Sequence, residues 1–416
     1  MVNSMNRARR SQPLETIGSA NRNMIERCTA SPPPAHDPAR RDPSHLALAF
    51  SGGGWRAALA AAGVLRFVAE AGLLPRVRWV SSVSGGSIVN GLLAVSRQRI
   101  SAAGFSPDSV DREVIAPLLG AARERSLTLA LLRSAWRVPW RTRTGVLADR
   151  LSEWLGLGVP LADLNGDCSH VFSGANETTG VRFNFDADSI GDYTMGFRSP
   201  AGTAIRLADA VAMSAAVPGP FNAMSLPGVR FPCADGADAR IVDGGVYDNL
   251  GLEPIDDLHG PCLIVLSAGG VFRTGWGGVT DRVPVVKNLK RAEALLYRQT
   301  TALRSRTMVE RFKAWESTPS GEDPPSFARR GVLFGLATTL KAPDAWSEAR
   351  PEFPYEEDRV RLAQFKTTFN KIEAPVAEAL IHRGWWLAGA VMSSYQSDLL
   401  PADLPVWRDL PAATIG

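Results

Sequence analysis

Residues 45–54 read His-Leu-Ala-Leu-Ala-Phe-Ser-Gly-Gly-Gly, and this stretch decides the fold. A short apolar run that ends in glycines predicts a buried strand entering a tight turn. Apolar residues then recur with helical spacing from Ala58 to Ala69, and Gly72 follows where a helix C-terminal cap belongs. A second strand is predicted over residues 77–83, with a second helix after it. This strand–helix–strand–helix order indicates a parallel α/β sheet with right-handed crossovers.

The rest of the chain continues the α/β pattern less regularly. Two further regions look like strands and one like a helix before another buried strand, and two amphipathic helices follow near the C-terminus. These predicted elements are strands in 170–185 and over 240–243, a helix over 249–258, a strand over 262–267, a helix through 362–372 and a helix ending near Gly384. The predicted fold class is α/β, with a central mostly parallel sheet between two helical layers and helical insertions.

Charge and composition divide the chain. Residues 1–41 hold seven arginines and three acidic residues, which accounts for the formal net charge of +4, and residues 1–43 show no apolar periodicity. We therefore expect a basic disordered arm over 1–43. A single catalytic-sized domain is expected over 44–400, with residues 100–165 as a helical insertion or cap and residues 401–416 as a C-terminal tail. Because the remainder of the chain is neutral, the basic balance does not indicate a nucleic-acid partner.

The cysteines and the apolar segments indicate in which cellular compartment the protein is expected. The four cysteines show no short C-x-x-C spacing, so we expect neither a disulfide framework nor a zinc ribbon, and a reducing compartment is the default. No segment approaches the ~18–20 apolar residues of a spanning helix, and no ordinary secretory signal is visible. The expected location is the cytoplasm, with peripheral membrane contact as a further expectation.

The turn over residues 82–86 reads Ser-Val-Ser-Gly-Gly and joins the second predicted strand to its helix. A serine on such a turn stands at a helix N-terminus, where the dipole and free N–H groups favour the oxyanion of acyl transfer. The nucleophile pattern is G-x-S-x-G, and Ser82 in its first position is a mild departure because serine is also small. Ser84 is the candidate nucleophile, and Ser87 fits less well because two bulky β-branched residues follow it. A simple N-cap role for Ser84 stays open.

The triple glycine at residues 52–54 allows three interpretations. With Ala57 it satisfies a loose dinucleotide-binding fingerprint, but the second strand ends in serines where an acidic residue should meet the ribose. A Walker loop is excluded because no Gly-Lys-Ser/Thr follows. The third interpretation is an oxyanion hole, in which glycine N–H groups unobstructed by Cβ atoms point at a developing alkoxide.

A nucleophilic serine needs a base, and the histidines are not well placed for that role. All five, at positions 36, 45, 170, 259 and 382, have plausible structural roles, and none lies in a glycine-rich turn. Asp243 does, in the Asp-Gly-Gly turn over 243–245. Partial burial would raise the basicity of this carboxylate, which is otherwise a weak base with a pKa of ~3.9. A plain turn-forming Asp-Gly is the alternative.

Together these residues resemble the patatin-like phospholipase family, including its branch similar to the catalytic domain of cytosolic phospholipase A2. The family's G-G-G-x-R/K oxyanion motif is matched by residues 52–56, its nucleophile motif by 82–86 and its D-G-G/A motif by 243–245. Small residues leading to Pro-x-x-Phe over 212–221 and the extension over 246–251 also look like family sequence. The motifs stand in the family's order over roughly residues 45–270.

The resemblance implies a set of site residues. Ser84 and Asp243 become a catalytic dyad, with an oxyanion hole formed by Gly52, Gly53, Gly54 and Gly85. Arg56 is a candidate contact for the phosphate of a lipid head group, although a surface arginine at a helix start is an equal alternative. The implied substrates are glycerophospholipids or lysophospholipids, hydrolysed through an acyl-serine without a cofactor. No metal-ligand pattern is present.

Residues 123–150 combine seven arginines with Leu131, Leu132, Trp136 and Trp140. This segment either contacts an anionic membrane surface, forms a lid, or is a cap helix packed on the core, and the cap is slightly favoured. Three other functions stay open at this point. They are an α/β-hydrolase triad using His259 or His382, a nucleotide-binding regulatory protein using the 52–54 loop, and an inactive lipid-binding module.

Overall fold

The structure is a computed structural model. It describes residue 28 and residues 38–133, 142–164, 166–226, 228–270, 284–319, 321–341, 343–347 and 356–413. The strands are β1 (Leu46–Phe50), β2 (Val77–Val83), β3 (Ser169–Asn176), β4 (Val181–Phe185), β5 (Ile190–Asp192), β6 (Gly196–Arg198), β7 (Met224–Ser225), β8 (Arg240–Asp243), β9 (Cys262–Ser267) and β10 (Gly331–Gly335). The helices are α1 (Gly54–Glu70), α2 (Gly85–Ala102), α3 (Pro107–Val110), α4 (Ala116–Glu124), α5 (Leu127–Arg133), α6 (Arg143–Leu155), α7 (Leu207–Ser214), α8 (Gly245–Asp248), α9 (Pro284–Glu316), α10 (Asp344–Ser347), α11 (Glu356–Gln364) and α12 (Ala374–Tyr395).

The described strands form one sheet in the order β10-β9-β1-β2-β3-β4-β5-β6. The five strands from β10 to β3 are parallel to their neighbours, and β4 to β6 continue the sheet antiparallel. The predicted fold class, α/β around a central parallel sheet, is confirmed. The antiparallel half of the sheet was not predicted in this detail.

Strand β3 brings two distant parts of the chain together. Along one edge, Ser169–Ser173 pair with β2, and further along the same edge Gly174–Asn176 pair with the antiparallel β8. Strand β4 occupies the opposite edge. Strand β8 therefore takes the position beyond the end of β2, and the two strands meet end to end.

Both faces of the parallel sheet are covered, as its uninterrupted apolar strands require. In β1, Leu46, Leu48 and Phe50 face a large core that includes α1, α2 and α12, whereas Ala47 and Ala49 face a smaller core. All five side chains are buried. The smaller core includes Met308 and Phe312 of α9.

Helices α1 and α12 cross at two glycines. A Cβ on Gly63 would lie 1.9 Å from the Ile381 carbonyl oxygen, and one on Gly384 would lie 2.0 Å from the Ala60 carbonyl oxygen. Gly384 is therefore a contact point inside α12. The prediction that a helix ends near Gly384 is wrong, because α12 continues to Tyr395.

Two other predicted helices differ from the structure. The helix predicted over 249–258 is absent, since α8 ends at Asp248 and turns follow it. Gly251 adopts a φ of +65°, which a helix does not allow, and Pro254 follows shortly after. The helix predicted through 362–372 ends early, because α11 stops at Gln364.

A disulfide joins Cys28 to Cys233, 205 residues apart in sequence. The sequence predicted no disulfide framework and did not reveal this one bridge, because a single bond between distant cysteines leaves no local spacing to recognise. Cys168 and Cys262 are buried free thiols.

The two predicted end segments are partly described. Pro38–Arg41 form a 3-10 turn whose Arg40 carbonyl accepts hydrogen bonds from the His259 and Gly260 amides, so the last residues of the predicted arm belong to the fold. Residues 1–27 and 29–37 lie outside the described residues. At the other end, Trp407 packs edge-on against Trp385 and beneath the Arg66 guanidinium. Within the described part of the chain, every helix is either too short or too polar to cross a membrane.

Candidate active site

Ser84 occupies the sharp turn between β2 and α2. Its φ of 52° and ψ of −120° are strained for a side-chain-bearing residue, and its side chain is only 3% exposed. The two glycines after it are sterically required. A Cβ on Gly85 would lie 2.1 Å from the Gly54 carbonyl oxygen, and one on Gly86 would lie 2.5 Å from that of Phe50. This is the geometry of a nucleophile elbow, which presents a hydroxyl at the carboxyl end of a parallel strand.

Asp243 ends β8 and meets Ser84 because of the shared strand β3. Val83 of β2 pairs with Ser173, and Asp243 pairs with the next residue, Gly174. The carboxylate accepts a hydrogen bond from the Gly245 amide at 2.7 Å, and the Ser84 side chain lies close enough to act on its pKa. The structure therefore brings the two predicted residues together although 159 positions separate them in the chain.

Burial sets the acidity of Asp243. The residue is 4% exposed, and desolvation raises the pKa of its carboxyl to about 7, although the Gly245 amide and the Ser84 side chain act to lower the pKa. A carboxylate of this basicity accepts a proton from a serine more readily than an exposed aspartate does.

The glycine loop over 52–54 packs against the elbow. Gly53 and Gly54 have φ values of +147° and +60°, and their backbone N–H groups make no hydrogen bond within the described residues. The Gly52 amide instead donates to the Asn249 carbonyl at 3.1 Å. The prediction that Gly52 supplies an oxyanion donor is corrected accordingly: its N–H is already engaged, and its lack of a side chain makes room for Asn249 and Ser84.

Arg56 is buried inside the protein. It is 2% exposed, and its guanidinium donates to the carbonyls of Ala268 (2.9 Å) and Phe365 and to the Thr367 hydroxyl (3.4 Å). The predicted phosphate contact is corrected, because every nitrogen of the guanidinium has a protein acceptor. Arg56 fastens the start of α1 to the segments that flank the glycine loop.

A buried polar network supports the elbow from below. The Ser214 hydroxyl accepts a hydrogen bond from the Ser84 amide at 3.0 Å and donates one to the Ser173 carbonyl at 2.7 Å. Ser87 joins Ser214 (2.9 Å) and Ser82 (3.1 Å) through its hydroxyl. Ser82, which replaces the motif's first glycine, is thus a member of this network and not a loosely tolerated substitute.

The network ends at a neutral histidine. The Asn90 side-chain amide donates to the Ser82 hydroxyl at 2.8 Å, and the Oδ1 atom of the same side chain is hydrogen-bonded to His170 Nδ1 at 2.7 Å. Burial lowers the pKa of His170 to about 3, so its ring stays uncharged at neutral pH.

Two residues that sequence reasoning missed also reach the site. The Asn249 amide lies close to Gly52, Gly245 and Gly269, and its buried Nδ2 has no hydrogen-bond partner among the described residues. Tyr297 of α9 places its hydroxyl against Gly269, and burial, together with the Asp243 charge, raises its pKa. Asn249 stood in the recognised motif extension, but Tyr297 carried no local signal.

The structure does not support a histidine-based triad. His259 precedes β9 and lies at the amino ends of the parallel strands, whereas Ser84 follows a carboxyl end. His382 of α12 packs against Trp385 and Trp407. Among the described residues, no histidine contacts Ser84 or Asp243.

The nucleotide-binding alternative also loses support. A bound phosphate takes several N–H groups of a helix's first turn together, and at the start of α1 the amides of Gly53 and Gly54 are free within the described chain whereas that of Trp55 is not. The Trp55 amide donates instead to the Thr368 carbonyl at 2.9 Å, and a Cβ on Gly54 would lie 2.7 Å from the same oxygen. In the described part of the chain, no cluster of three His, Cys, Asp or Glu side chains could hold a metal ion.

A serine elbow at the end of a parallel strand, beside a buried carboxylate and a glycine loop, is an arrangement found in serine hydrolases built on α/β folds. The sequence model of patatin-like phospholipases matches residues 48–256, half of the chain and all three motifs. The chain belongs to the patatin-like phospholipase family, as its sequence motifs predicted. No curated protein sequence matches it.

Solved structures that match the chain include human GIVD cytosolic phospholipase A2, at 13% identity and a TM-score of 0.49, covering 86% of this chain. This chain spans 60% of the length of that enzyme. VipD from Legionella pneumophila matches at 12% identity and a TM-score of 0.32, covering 85% of this chain and 67% of its own. ExoU in complex with SpcU, from the type III secretion system of Pseudomonas aeruginosa, matches at 14% identity and a TM-score of 0.27, covering 82% and 77%.

Proposed function

We propose that this protein is a serine lipid acyl hydrolase of the phospholipase A or lysophospholipase type, with Ser84 as nucleophile and Asp243 as base. One observation carries the proposal: the strained and buried Ser84 stands beside a buried carboxylate whose pKa is raised to about 7. A structural N-cap serine needs neither the strain nor the carboxylate.

In the acylation step, the Ser84 hydroxyl attacks the ester carbonyl carbon while its proton passes to Asp243. Negative charge develops on the former carbonyl oxygen. The free amides of Gly53 and Gly54, with that of Gly85 after the nucleophile, are the donors available to this oxygen. Collapse of the intermediate breaks the ester C–O bond, and the leaving alcohol takes the proton from Asp243.

In the deacylation step, Asp243 accepts a proton from water as the water oxygen attacks the acyl-serine. The fatty acid leaves, and the proton returns to Ser84. This cycle consumes one water and needs no cofactor. Family membership supports a lipid ester as substrate, and we propose glycerophospholipids or lysophospholipids.

Peripheral membrane contact through residues 123–150 stays a prediction. In the described part of this segment, α5 exposes Leu129 and Leu132, whereas Trp136 and Trp140 lie outside the described residues. The expected cytoplasmic location also stays a prediction. The Cys28–Cys233 disulfide argues against it, because such bonds persist mainly in oxidising compartments.

Labelling with a fluorophosphonate probe followed by peptide mapping tests the proposal. We expect a covalent adduct on Ser84 that is absent in Ser84→Ala, with hydrolysis of a p-nitrophenyl ester lowered by about 10⁴-fold or more. Asp243→Asn should lower activity to a similar degree. Ser101→Ala, at an exposed serine of α2, is the control and should label normally. An adduct on Ser87, or full activity of Asp243→Asn, would refute the assignment.

A further inference from the structure

The Asn249 side chain stands beside the nucleophile and carries an unused donor. It is 4% exposed, and a Cβ on Gly52 would lie 2.4 Å from its Oδ1 atom and 3.1 Å from Ser84 Cβ. Its Nδ2 atom lies on the other side of the amide, where a Cβ on Gly269 would be 2.7 Å away. This NH2 group has no hydrogen-bond partner among the described residues. Because a buried donor without an acceptor is costly, the orphaned group calls for an explanation.

A second donor reaches the same position from helix α9. The same Cβ on Gly269 would lie 2.8 Å from the Tyr297 hydroxyl, which makes no hydrogen bond within the part of the chain that the structure describes. Burial and the Asp243 charge raise the pKa of this phenol, so it stays protonated and can donate. The next residue, Gly270, is exposed, and the position therefore borders solvent. The two donors converge on a place that suits an acceptor oxygen from outside the chain.

The charge around this position favours an anionic acceptor. The buried Arg56 guanidinium donates only to two carbonyls and a hydroxyl, so no carboxylate of the described residues pairs with its positive charge. A Cβ on Gly270 would lie 3.6 Å from its Nη2 atom. Buried charges are ordinarily paired, and an unpaired guanidinium attracts negative charge to its surroundings. Every nitrogen of Arg56 already has a protein acceptor, so it acts on this position through its charge alone.

The Asp243 carboxylate does not occupy the same position. A Cβ on Gly245 would lie 3.0 Å from Asp243 Oδ1 and 2.8 Å from Asn249 Oδ1. The base therefore borders the oxygen side of the Asn249 amide, whereas the unused NH2 group borders Gly269 on the other side. An ester at Ser84 and an anionic group at Gly269 would be separated by one side-chain amide, so both can belong to one glycerol unit.

We propose that the Asn249 side-chain amide and the Tyr297 hydroxyl bind an anionic oxygen of the substrate, and that they favour esters carrying a phosphate over neutral esters. Both residues determine specificity, and neither exchanges a proton with the substrate. The inference rests on the proposed function, because it names the part of the substrate that the same site recognises.

A matched pair of esters tests the preference. Octanoyl lysophosphatidic acid and monooctanoylglycerol differ only in the phosphate. We expect Tyr297→Phe to lower the ratio of kcat/KM for the first ester to kcat/KM for the second by about tenfold, because it removes one hydrogen bond to a charged group. Asn249→Asp, which sets a carboxylate against the phosphate, should lower the ratio further. Tyr395→Phe, at an exposed tyrosine of α12, is the control and should leave the ratio unchanged.

An unchanged ratio in Tyr297→Phe would overturn the proposal. The ratio is the right measure because Asn249 also packs between Gly52 and Gly245, so a change there lowers the rates for both esters. Tyr297→Phe removes only a hydroxyl without a partner in the described chain, and it keeps the proposal testable if Asn249→Asp does not fold.

The binding of ether analogues separates this proposal from the proposed catalysis. O-octylglycerol phosphate and O-octylglycerol have no ester to hydrolyse, so their affinities, measured by titration calorimetry, report binding alone. We expect the unaltered protein to bind the phosphate ether about tenfold or more tightly than the neutral ether, and Tyr297→Phe to lose most of this difference. Equal affinities of the unaltered protein for both ethers would overturn the proposal. A failure of the proposed hydrolase function would show instead as absent fluorophosphonate labelling of Ser84 with the difference in affinity intact.

Discussion

Asp243 is the residue at which burial has its largest chemical effect. A base must be deprotonated, and desolvation raises the pKa of this carboxyl to about 7. We expect kcat/KM for a soluble p-nitrophenyl ester to decline as pH falls below about 7, in proportion to the loss of carboxylate. A pH–rate profile measures this directly. An acid limb centred near the ordinary aspartate pKa of ~3.9 would contradict the prediction.

The raised pKa of Asp243 favours activity at higher pH but makes the folded protein less stable there. Between its ordinary value of 3.8 and about 7, Asp243 binds a proton in the folded state but not in the unfolded state. The free energy of unfolding therefore falls as pH rises through this range, by up to roughly 4 kcal/mol. Asp243→Asn removes the cost of burying an ionised carboxylate. We therefore expect the variant to have a higher melting temperature than the unaltered protein at about pH 8 and the same melting temperature at about pH 4.

Thermal unfolding at the two pH values checks this expectation. Asp323→Asn, at an exposed aspartate, is the control and should change the melting temperature equally at both. If Asp243→Asn were less stable than the unaltered protein at the higher pH, the carboxylate would not be carrying a desolvation cost.

Among the elements, β2 and α2 depend on Ser82. Its hydroxyl accepts hydrogen bonds from Asn90 and Ser87 and donates to the Val171 carbonyl. Ser82→Gly restores the family motif but removes all three hydrogen bonds of this hydroxyl, while Asn90 and Ser87 keep their other partners, so we expect the free energy of unfolding to fall by roughly 1–3 kcal/mol more than in a control. The control is Ser81→Gly, because the buried Ser81 hydroxyl has no partner in the described chain. Equal losses in chemical denaturation would show that the network contributes nothing.

The α1–α12 crossing is expected to be intolerant of a single methyl group. Gly384→Ala would place a Cβ 2.0 Å from the Ala60 carbonyl oxygen, and backbone cannot rotate away. We expect roughly 2–4 kcal/mol of destabilisation, measured by chemical denaturation. Gly91→Ala in α2 is the matched helical control, because its Cβ would meet only flexible Leu157 and Val211 methyl groups at 3.3 Å or more. Similar stabilities of the two variants would contradict the close approach of the two helices at Gly384.

Elements with strong local patterns could be predicted from the sequence, and those decided by distant contacts could not. The short apolar run before the glycines predicted β1, and the apolar run over 262–267 predicted β9. Gly384 looked like a helix end because its reason for being glycine is Ala60, which lies far away in the sequence. The turns after Asp248 were predicted as a helix because their apolar residues have helical spacing, but in the structure those residues pack in the smaller core without forming a helix.

For the whole molecule, the Cys28–Cys233 bridge ties the N-terminal region to the main body across 205 positions. Chain-entropy arguments give such a bond roughly 3–5 kcal/mol. We expect Cys28→Ser/Cys233→Ser to melt at a lower temperature than the unaltered protein under non-reducing conditions and level with it after reduction. Thiol titration in denaturant should find two free thiols before reduction and four after it. Four free thiols at the outset would contradict the bridge.

The site as a whole was partly predictable for the same physical reason. Ser84 and Asp243 stood in glycine-rich turns with recognisable chemistry, so the motifs alone suggested them. The roles of Gly52 and Arg56 depended on partners such as Asn249 and Phe365, which no nearby sequence indicates. Tyr297 reaches the site from a helix whose sequence resembles an ordinary basic surface helix.

The shared edge of β3 has a mechanical consequence. Because Ser173 and Gly174 are neighbours on one strand, the ends that carry nucleophile and base are fixed to the same short piece of backbone. We therefore expect bending or twisting of the sheet to displace Ser84 and Asp243 together and to change their separation little. Inserting one residue between positions 173 and 174 would break that common reference, shifting one partner by about 3.3 Å and reversing the side of the sheet that it faces.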